Sequence, residues 1–248
     1  MTEQAKCAIG VNIMKNGLAL GEIYDLSFPD VTGNTIDTSS QNNPGGVMTK
    51  CVAWIETGNL AFSIRYTGST AQNSLLTNIF DRDFDTWTIV MPADFHTTNV
   101  IGYSFSGQIA KSPVLVETDG TAHIDMEVTV NGKVTPTTTG ATGLTTPFFT
   151  IADDGANALT PSPAASATVY AYTVETYSDS VSVTITPTAT AGTIYVNGTS
   201  VATGAASTAI TLNTGVGAVT MVSVAITELN KTPKIHWLRF KIGTTAQP

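Results

Sequence analysis

The acidic run DRDFD is the part of the sequence that most resembles a metal-binding motif. Asp81, Asp83 and Asp85 have the spacing of positions 1, 3 and 5 of an EF-hand calcium loop. The match then fails, because position 6 is Thr86 instead of glycine and position 12 is Pro92 instead of a bidentate glutamate. We interpret the run as an acidic turn that leads into the strand TWTIVMP.

Other catalytic patterns are missing from the sequence. The three histidines, His96, His123 and His236, are far apart and have no metal-ligand spacing, and we expect His123 at the surface. Asp125 and Glu127 could act as a glycosidase pair, but they alternate along a regular strand without a supporting motif. Nucleophile-elbow, P-loop and dinucleotide-binding glycine signatures do not occur. We predict no enzyme, with no catalytic, cofactor-binding or metal-binding residue.

Composition excludes several classes of partner. The formal charge is −8 and only 12% of residues are charged, which argues against binding to nucleic acid or to anionic lipid. No apolar run has signal-peptide length or approaches the ~20 residues of a membrane span. We expect synthesis in a cytoplasm. Two cysteines, Cys7 and Cys51, are too few for a disulfide framework, and whether they form a bridge is left open.

Strand patterns dominate the first half of the chain. LAFSIRY, YSFSGQI and IDMEVTV alternate apolar and polar residues with a period of two. Asp119-Gly120 predicts a tight hairpin turn. One segment, TAQNSLLTNIF, has helical spacing and is expected to cover the sheet; its apolar residues are Leu75, Leu76, Ile79 and Phe80.

The second half of the chain reads as strands throughout. VSVTITP places Val181, Val183 and Ile185 on one face, and Asn197-Gly198 predicts another hairpin turn. Further core candidates lie in STAITLNTG, VTMVSVAIT and IHWLRFKI. The predicted fold class is mainly β: an N-terminal antiparallel β-sandwich or half-barrel with one short helix, then an immunoglobulin-like (Ig-like) β-sandwich.

Charge and composition divide the chain. Residues 1–142 contain 14 acidic and 7 basic side chains, a net of −7, whereas residues 143–248 contain 5 and 4, a net of −1. Eight of the sixteen residues in TPTTTGATGLTTPFFT are threonine, which is typical of a linker. We predict a domain at 1–134, a linker at 135–150 and a second domain at 151–248.

The long polar stretch after Thr35 carries a family resemblance. IDTSS, then PGG, then VAWIETGNLAFSIRY follow one another in the order found in tail tube (major tail) proteins of long-tailed bacteriophages. The resemblance covers residues ~9–134. Ala53 or Trp54 stands where that family often has glycine, and Asn59 replaces the usual glutamate.

The resemblance implies a structural virion protein. Six subunits would form a ring, rings would stack head to tail, and DNA would pass through the lumen to the host without specific binding. Partners would be further copies and the tape measure, tail assembly chaperone, tail tip and tail terminator proteins. Assembly would occur in the host cytoplasm. The long stretch would be the stacking loop, ordered only on assembly, with the residues Ile36, Asp37, Ser39, Pro44, Gly45, Gly46, Trp54 and Glu56. Acidic lumen-facing candidates are Glu22, Asp25, Asp125 and Glu127.

The second half separately resembles bacterial Ig-like domains of the cadherin-like type, through Leu159, Pro161, Tyr170, VSVTITP, IYVNG and Arg239. Such a domain would project outward from the tube. The alternative function is a carbohydrate-binding adhesin module of a phage fibre or bacterial surface. A hydrolase with an accessory sandwich is the third possibility.

Overall fold

The computed structural model describes residues 11–21, 23–38, 50–66, 70–80, 82–91, 102–116, 122–152 and 171–246. Two compact units emerge from the residue contacts. The arm unit comprises Glu22–Trp87 and Ser104–Thr135, and the sandwich unit comprises Met1–Gly21, Thr88–Tyr103 and Pro136–Pro248. The sandwich unit therefore includes N-terminal residues that we had assigned to the first domain.

The described residues are mainly strand, as predicted, with one short helix. The first elements in chain order are β1 (Asn12–Lys15), β2 (Leu18–Ala19), β3 (Ile23–Ser27), β4 (Val31–Asp37), β5 (Lys50–Thr57), β6 (Asn59–Arg65), α1 (Thr70–Asn78), β7 (Asp85–Val90), β8 (Gly102–Lys111), β9 (Val114–Val116) and β10 (Ala122–Thr137). The remaining elements are β11 (Leu144–Ala152), β12 (Ala171–Thr176), β13 (Ser182–Ala189), β14 (Thr193–Val196), β15 (Thr199–Val201), β16 (Ile210–Thr211), β17 (Val219–Thr227) and β18 (Lys234–Ile242).

In the arm unit the strand order is β7-β8-β10-β6-β3, and β9 also pairs with β10. The period-two prediction is confirmed, because alternate residues of β6 and β10 are buried. Trp87 is fully buried and donates from Nε1 to the carbonyl of Gly107 over 3.2 Å. A Cβ on Gly107 would lie 2.7 Å from Val128 Cγ1, so only glycine permits this close approach of strands.

Helix α1 differs in part from its prediction. Leu75 is fully buried, but the helix ends at Asn78 and the side chain of Phe80 is 83% exposed. Phe80 lies in the turn after the helix, where its amide still donates to the carbonyl of Thr77. The helical spacing therefore extended the predicted apolar face beyond the helix itself.

The sandwich unit has two sheets that face one core. The sheets have the orders β11-β13-β16 and β12-β18-β17-β14-β15. The strand pairs are antiparallel except β12 with β18, which run parallel. The shared core contains Val183 and Ile185 from one sheet and Val224 and Phe240 from the other. Val181 was predicted to join this face, but it precedes β13 and is exposed.

Turn chemistry explains two hairpins of the sandwich unit. Asn197 and Gly198 have φ values of 46° and 82° between β14 and β15, which confirms the predicted turn. Asn16 and Gly17 have φ values of 47° and 86° between β1 and β2. Asparagine followed by glycine tolerates positive φ at both positions, as a type I′ turn requires. The predicted turn at Asp119-Gly120 lies outside the described residues.

The segment predicted as a linker contains strand residues at both ends. Strand β10 runs to Thr137, and β11 begins at Leu144 and pairs with β13. Between these strands, the amide of Ala141 donates to the carbonyl of Thr232 over 2.8 Å. Several threonines of this segment therefore lie in strands, which agrees with threonine being a good strand former.

Candidate functional site

Strands β4 and β5 form a two-stranded antiparallel sheet of their own, which we call the arm. The paired residues run from Val31 with Thr57 at the base to Asp37 with Lys50 at the far end. At the base the amide of Gly58 donates to the carbonyl of Asp30 over 2.7 Å. Thr35, Ile36 and Asp37 of the predicted loop therefore belong to a strand.

One face of the arm has exposed apolar residues, and Thr35, Asp37, Lys50 and Thr57 lie on the same face. Alternate residues of a strand share a face, and the register with its bulge places Val31, Gly33, Val52 and Ile55 together. The side chains of Val31, Val52 and Ile55 are 63%, 58% and 67% exposed. A Cβ on Gly33 would lie 3.2 Å from Val52 Cγ1, so the valine side chain lies over the glycine backbone. We call Val31, Gly33, Val52 and Ile55 the apolar arm face.

Some of the residues predicted for the stacking loop lie on β4 or β5, and the others lie outside the described residues. Ile36 and Asp37 end β4, and Ile36 is exposed. Glu56 lies on β5 and is exposed; Trp54 belongs to the same strand, and its side chain lies outside the described part. The remaining predicted residues lie outside the described residues; they are Ser39, Pro44, Gly45 and Gly46.

Sequence reasoning missed the apolar arm face. Alternation could not have revealed it, because Val52 and Ile55 are three positions apart and share a face only through the bulge.

The second candidate surface is an acidic sheet face in the arm unit. Asp25, Ser63 and Asp125 are adjacent across β3, β6 and β10, and Glu127 lies on the same face as Asp125. The residues line a shallow groove of about 250 Å³ together with Lys111. Three of the four predicted lumen residues thus share one surface. Glu22 lies outside the described residues.

Hydrogen bonds hold two of these carboxylates in place. Ser63 Oγ donates to Asp125 Oδ1 over 2.6 Å, and Asn59 Nδ2 donates to Glu127 Oε1 over 2.5 Å. Both of these donors are neutral groups.

The same surface contains a serine, a histidine and an aspartate, but their contacts are not those of a catalytic triad. His123 Nε2 lies 3.5 Å from Asp125 Oδ1, and Ser63 donates to the same carboxylate atom. A serine nucleophile needs the imidazole itself as its base. The histidine is half-buried on this surface.

No metal site forms among the described residues. No three His, Cys, Asp or Glu side chains of that part of the chain come together to hold an ion. Asp83 lies before β7 and Asp85 is its first residue, whereas Asp81 lies outside the described residues. Cys51 is an exposed free thiol, and Cys7 lies outside the described part.

The buried histidine of the sandwich unit has an aromatic environment. The ring of His236 lies 5.6 Å from that of Phe149 and 6.1 Å from that of Tyr172, centroid to centroid. Burial, with a smaller contribution from Lys234, lowers the pKa of His236 to about 4. His236 is therefore neutral at neutral pH, which suits a core position.

Helix α1 has nine residues and is not long or apolar enough to cross a bilayer, and no other described segment is such a helix.

No protein-family model matches the sequence, and no curated protein does. Among solved structures, a chain of the virion of a native gene transfer agent particle is similar, with a TM-score of 0.42 and 11% identity over 54% of this chain and 99% of that one. A chain of the tail of an empty gene transfer agent particle, refined with C6 symmetry, gives 0.42 and 12% over 54% and 99%. A chain of the six-fold anti-feeding prophage baseplate gives 0.41 and 11% over 54% and 97%.

Proposed function

We propose that the chain is a structural virion protein, the tail tube subunit of a long-tailed phage or a related particle. The observation that carries the proposal is the apolar arm face, which lies on a separate two-stranded sheet. The order of motifs from IDTSS to LAFSIRY supports the same assignment. The protein acts by self-assembly, and it is not an enzyme.

The arm needs a partner for physical reasons. A two-stranded sheet is at best marginally stable in water by itself, and Val31, Val52 and Ile55 remain more than half exposed. Burying apolar surface yields roughly 25 cal/mol per Å², so covering this face stabilises both the arm and the contact. A second copy of the chain supplies the cover in the next ring.

Head-to-tail docking of this kind leads to a filament. The arm of each copy docks on one neighbour, and the arm of another neighbour docks on that copy. Such a contact is heterologous and does not close. Six copies form each ring. Residues of the segment between Asp37 and Lys50 contribute to the same inter-ring contact.

The acidic sheet face fits the wall of a DNA channel. Asp25, Asp125 and Glu127 repel phosphate, and the hydrogen bonds from Ser63 and Asn59 leave the charge of two of them intact. DNA then moves through the lumen without adhering. The Ig-like sandwich unit projects from the outside of the tube, and the tape measure, chaperone, tail tip and terminator proteins are the other partners.

Substitution of the apolar arm face tests the proposal. Purified wild-type protein is expected to give rings or tubes in negative stain, together with a high-mass species in size exclusion. The double variant Val52→Ser/Ile55→Ser is expected to remain folded and to stay in small species. Leu229→Ser is the matched control, because Leu229 is 89% exposed in the sandwich unit. A persistent wild-type monomer that binds immobilised glycans would contradict the proposal and favour the adhesin.

A further inference from the structure

Two exposed aromatic side chains lie between helix α1 and strand β7. Phe80 and Phe84 are 83% and 60% exposed. Four residues of chain span at most about 14 Å, so both side chains belong to one end of the helix. A phenylalanine buries about 150–250 Å² when covered, and the pair therefore leaves roughly 300 Å² of aromatic surface in water. A patch of this size on a soluble unit is often functional.

We infer that this aromatic pair is the surface that receives the apolar arm face of another copy. The inference rests on the proposed function, and it identifies which residues lie on the receiving side. A heterologous contact needs two different surfaces on every copy, and the arm unit has both.

The two surfaces can supply the apolar centre of such a contact but not its whole area. A stable interface buries about 800 Å² on each partner, with an apolar centre and a polar rim. Val31, Val52 and Ile55 form an apolar centre on one side, and the two phenylalanines form it on the other. Aromatic residues are enriched at the centre of interfaces and carry much of the binding energy there.

The charges around the two surfaces complement each other. The end of the arm has Asp37 opposite Lys50, and Arg82 and Asp83, both exposed, lie between the two phenylalanines in sequence. A docked arm sets Asp37 against Arg82 and Lys50 against Asp83. Rim charges of this type fix the register of a contact more than its strength.

Strand β9 is the competing receiver within the arm unit. Val114 and Leu115 are only 39% and 41% exposed, although Val116 is 71% exposed. The strand has no aromatic residue and no charge at those three positions. Val116→Ser is therefore the matched control for the aromatic pair.

The first experiment measures assembly by sedimentation and negative stain over a range of protein concentrations. Phe80→Ser/Phe84→Ser is expected to raise the concentration needed for polymerisation at least about tenfold, while Val116→Ser stays within about twofold of wild type. Thermal unfolding confirms that each variant is folded. Polymerisation of the aromatic variant at the wild-type concentration would overturn the inference and leave the proposed function standing. Failure of the wild type to polymerise would overturn both.

A cross-linking experiment tests the contact without relying on loss of assembly. In a Cys7→Ser/Cys51→Ser background, copies with Val52→Cys are mixed with copies that have Phe84→Cys, assembled and oxidised. A disulfide-linked dimer is expected from this mixture, and none from Val52→Cys mixed with Leu229→Cys. Assembled tubes that yield no Val52–Phe84 cross-link, or the same yield as the control mixture, would overturn the inference.

Discussion

Trp237 Nε1 donates a hydrogen bond to Asn12 Oδ1 over 3.3 Å, although 225 positions separate the two residues. The contact lies within the sandwich unit. Next to it, Met14, Ala19 and Val90 pack with Ala225 and Ile235 in one apolar cluster. The β1–β2 hairpin therefore covers part of the outer face of the five-stranded sheet.

Alanine substitutions at Gly17 and Gly21 test how much the packing of the β1–β2 hairpin on the five-stranded sheet contributes to stability. Gly17→Ala is expected to destabilise the protein about 1–3 kcal/mol more than Gly21→Ala. Both glycines have positive φ, of 86° and 100°, so the backbone strain is similar. A Cβ on Gly17 would lie 2.5 Å from the ring of Tyr195, whereas a Cβ on Gly21 meets nothing within 4 Å. Urea unfolding followed by tryptophan fluorescence gives the difference; equal effects would show that the hairpin does not support the sheet.

His236 predicts how stability depends on pH. Its pKa is about 4 in the fold and near 6.5 in the unfolded chain, so the unfolded chain binds the proton first. The contribution is fully present above pH 6.5, is lost as the pH falls toward 4, and amounts to roughly 3 kcal/mol. His236→Phe keeps an aromatic ring between Phe149 and Tyr172 and is expected to flatten the slope between pH 6.5 and 5. An unchanged slope in this variant would contradict the assignment.

Deleting part of the segment between β4 and β5 tests whether that segment is needed for assembly and not for folding. Deleting residues 38–46 is expected to leave a folded subunit that no longer polymerises, because the inter-ring contact loses part of its surface. Circular dichroism and thermal unfolding test the first outcome, and negative stain tests the second. Loss of the fold on deletion would instead make this segment part of the core.

The spacing of apolar residues predicted the strands and the helix in which burial is regular. It did not predict where these elements end. β6 and β10 alternate over seven or more residues, so one face had to be buried. Phe80 and Val181 continue an apolar spacing but lie just beyond α1 and β13, where the backbone no longer turns them inward. Spacing alone does not show where a helix or strand stops.

Three features required the folded chain. The hydrogen bond from Trp237 to Asn12 connects residues 225 positions apart, and no pattern of neighbouring residues in the sequence indicates it. The apolar arm face depends on the bulge that brings Val52 opposite Thr35 and onto the side of Gly33 and Ile55. Among the predicted lumen residues, Asp125 and Glu127 could be assigned to one strand from the sequence. Asp25 joins them only because β3 and β10 both pair with β6, where Ser63 lies between Asp25 and Asp125.

The acidic sheet face is testable by charge reversal. Tubes of Asp25→Lys/Glu127→Lys are expected to retain short duplex DNA in low salt and to protect it from nuclease, because lysines in the lumen bind phosphate. Asp125 is kept so that its bond with Ser63 remains. Glu175→Lys/Asp179→Lys in the sandwich unit is the control, and DNA bound to it should stay sensitive to nuclease. Equal nuclease sensitivity in both variants would exclude a lumen position for Asp25 and Glu127.

A cryo-EM reconstruction of the filament formed by the full chain is the most direct measurement. The prediction is that Val31, Val52 and Ile55 of each copy are buried against a subunit of the adjacent ring. A filament in which these side chains remain in solvent, or pack against their own subunit, would contradict the account.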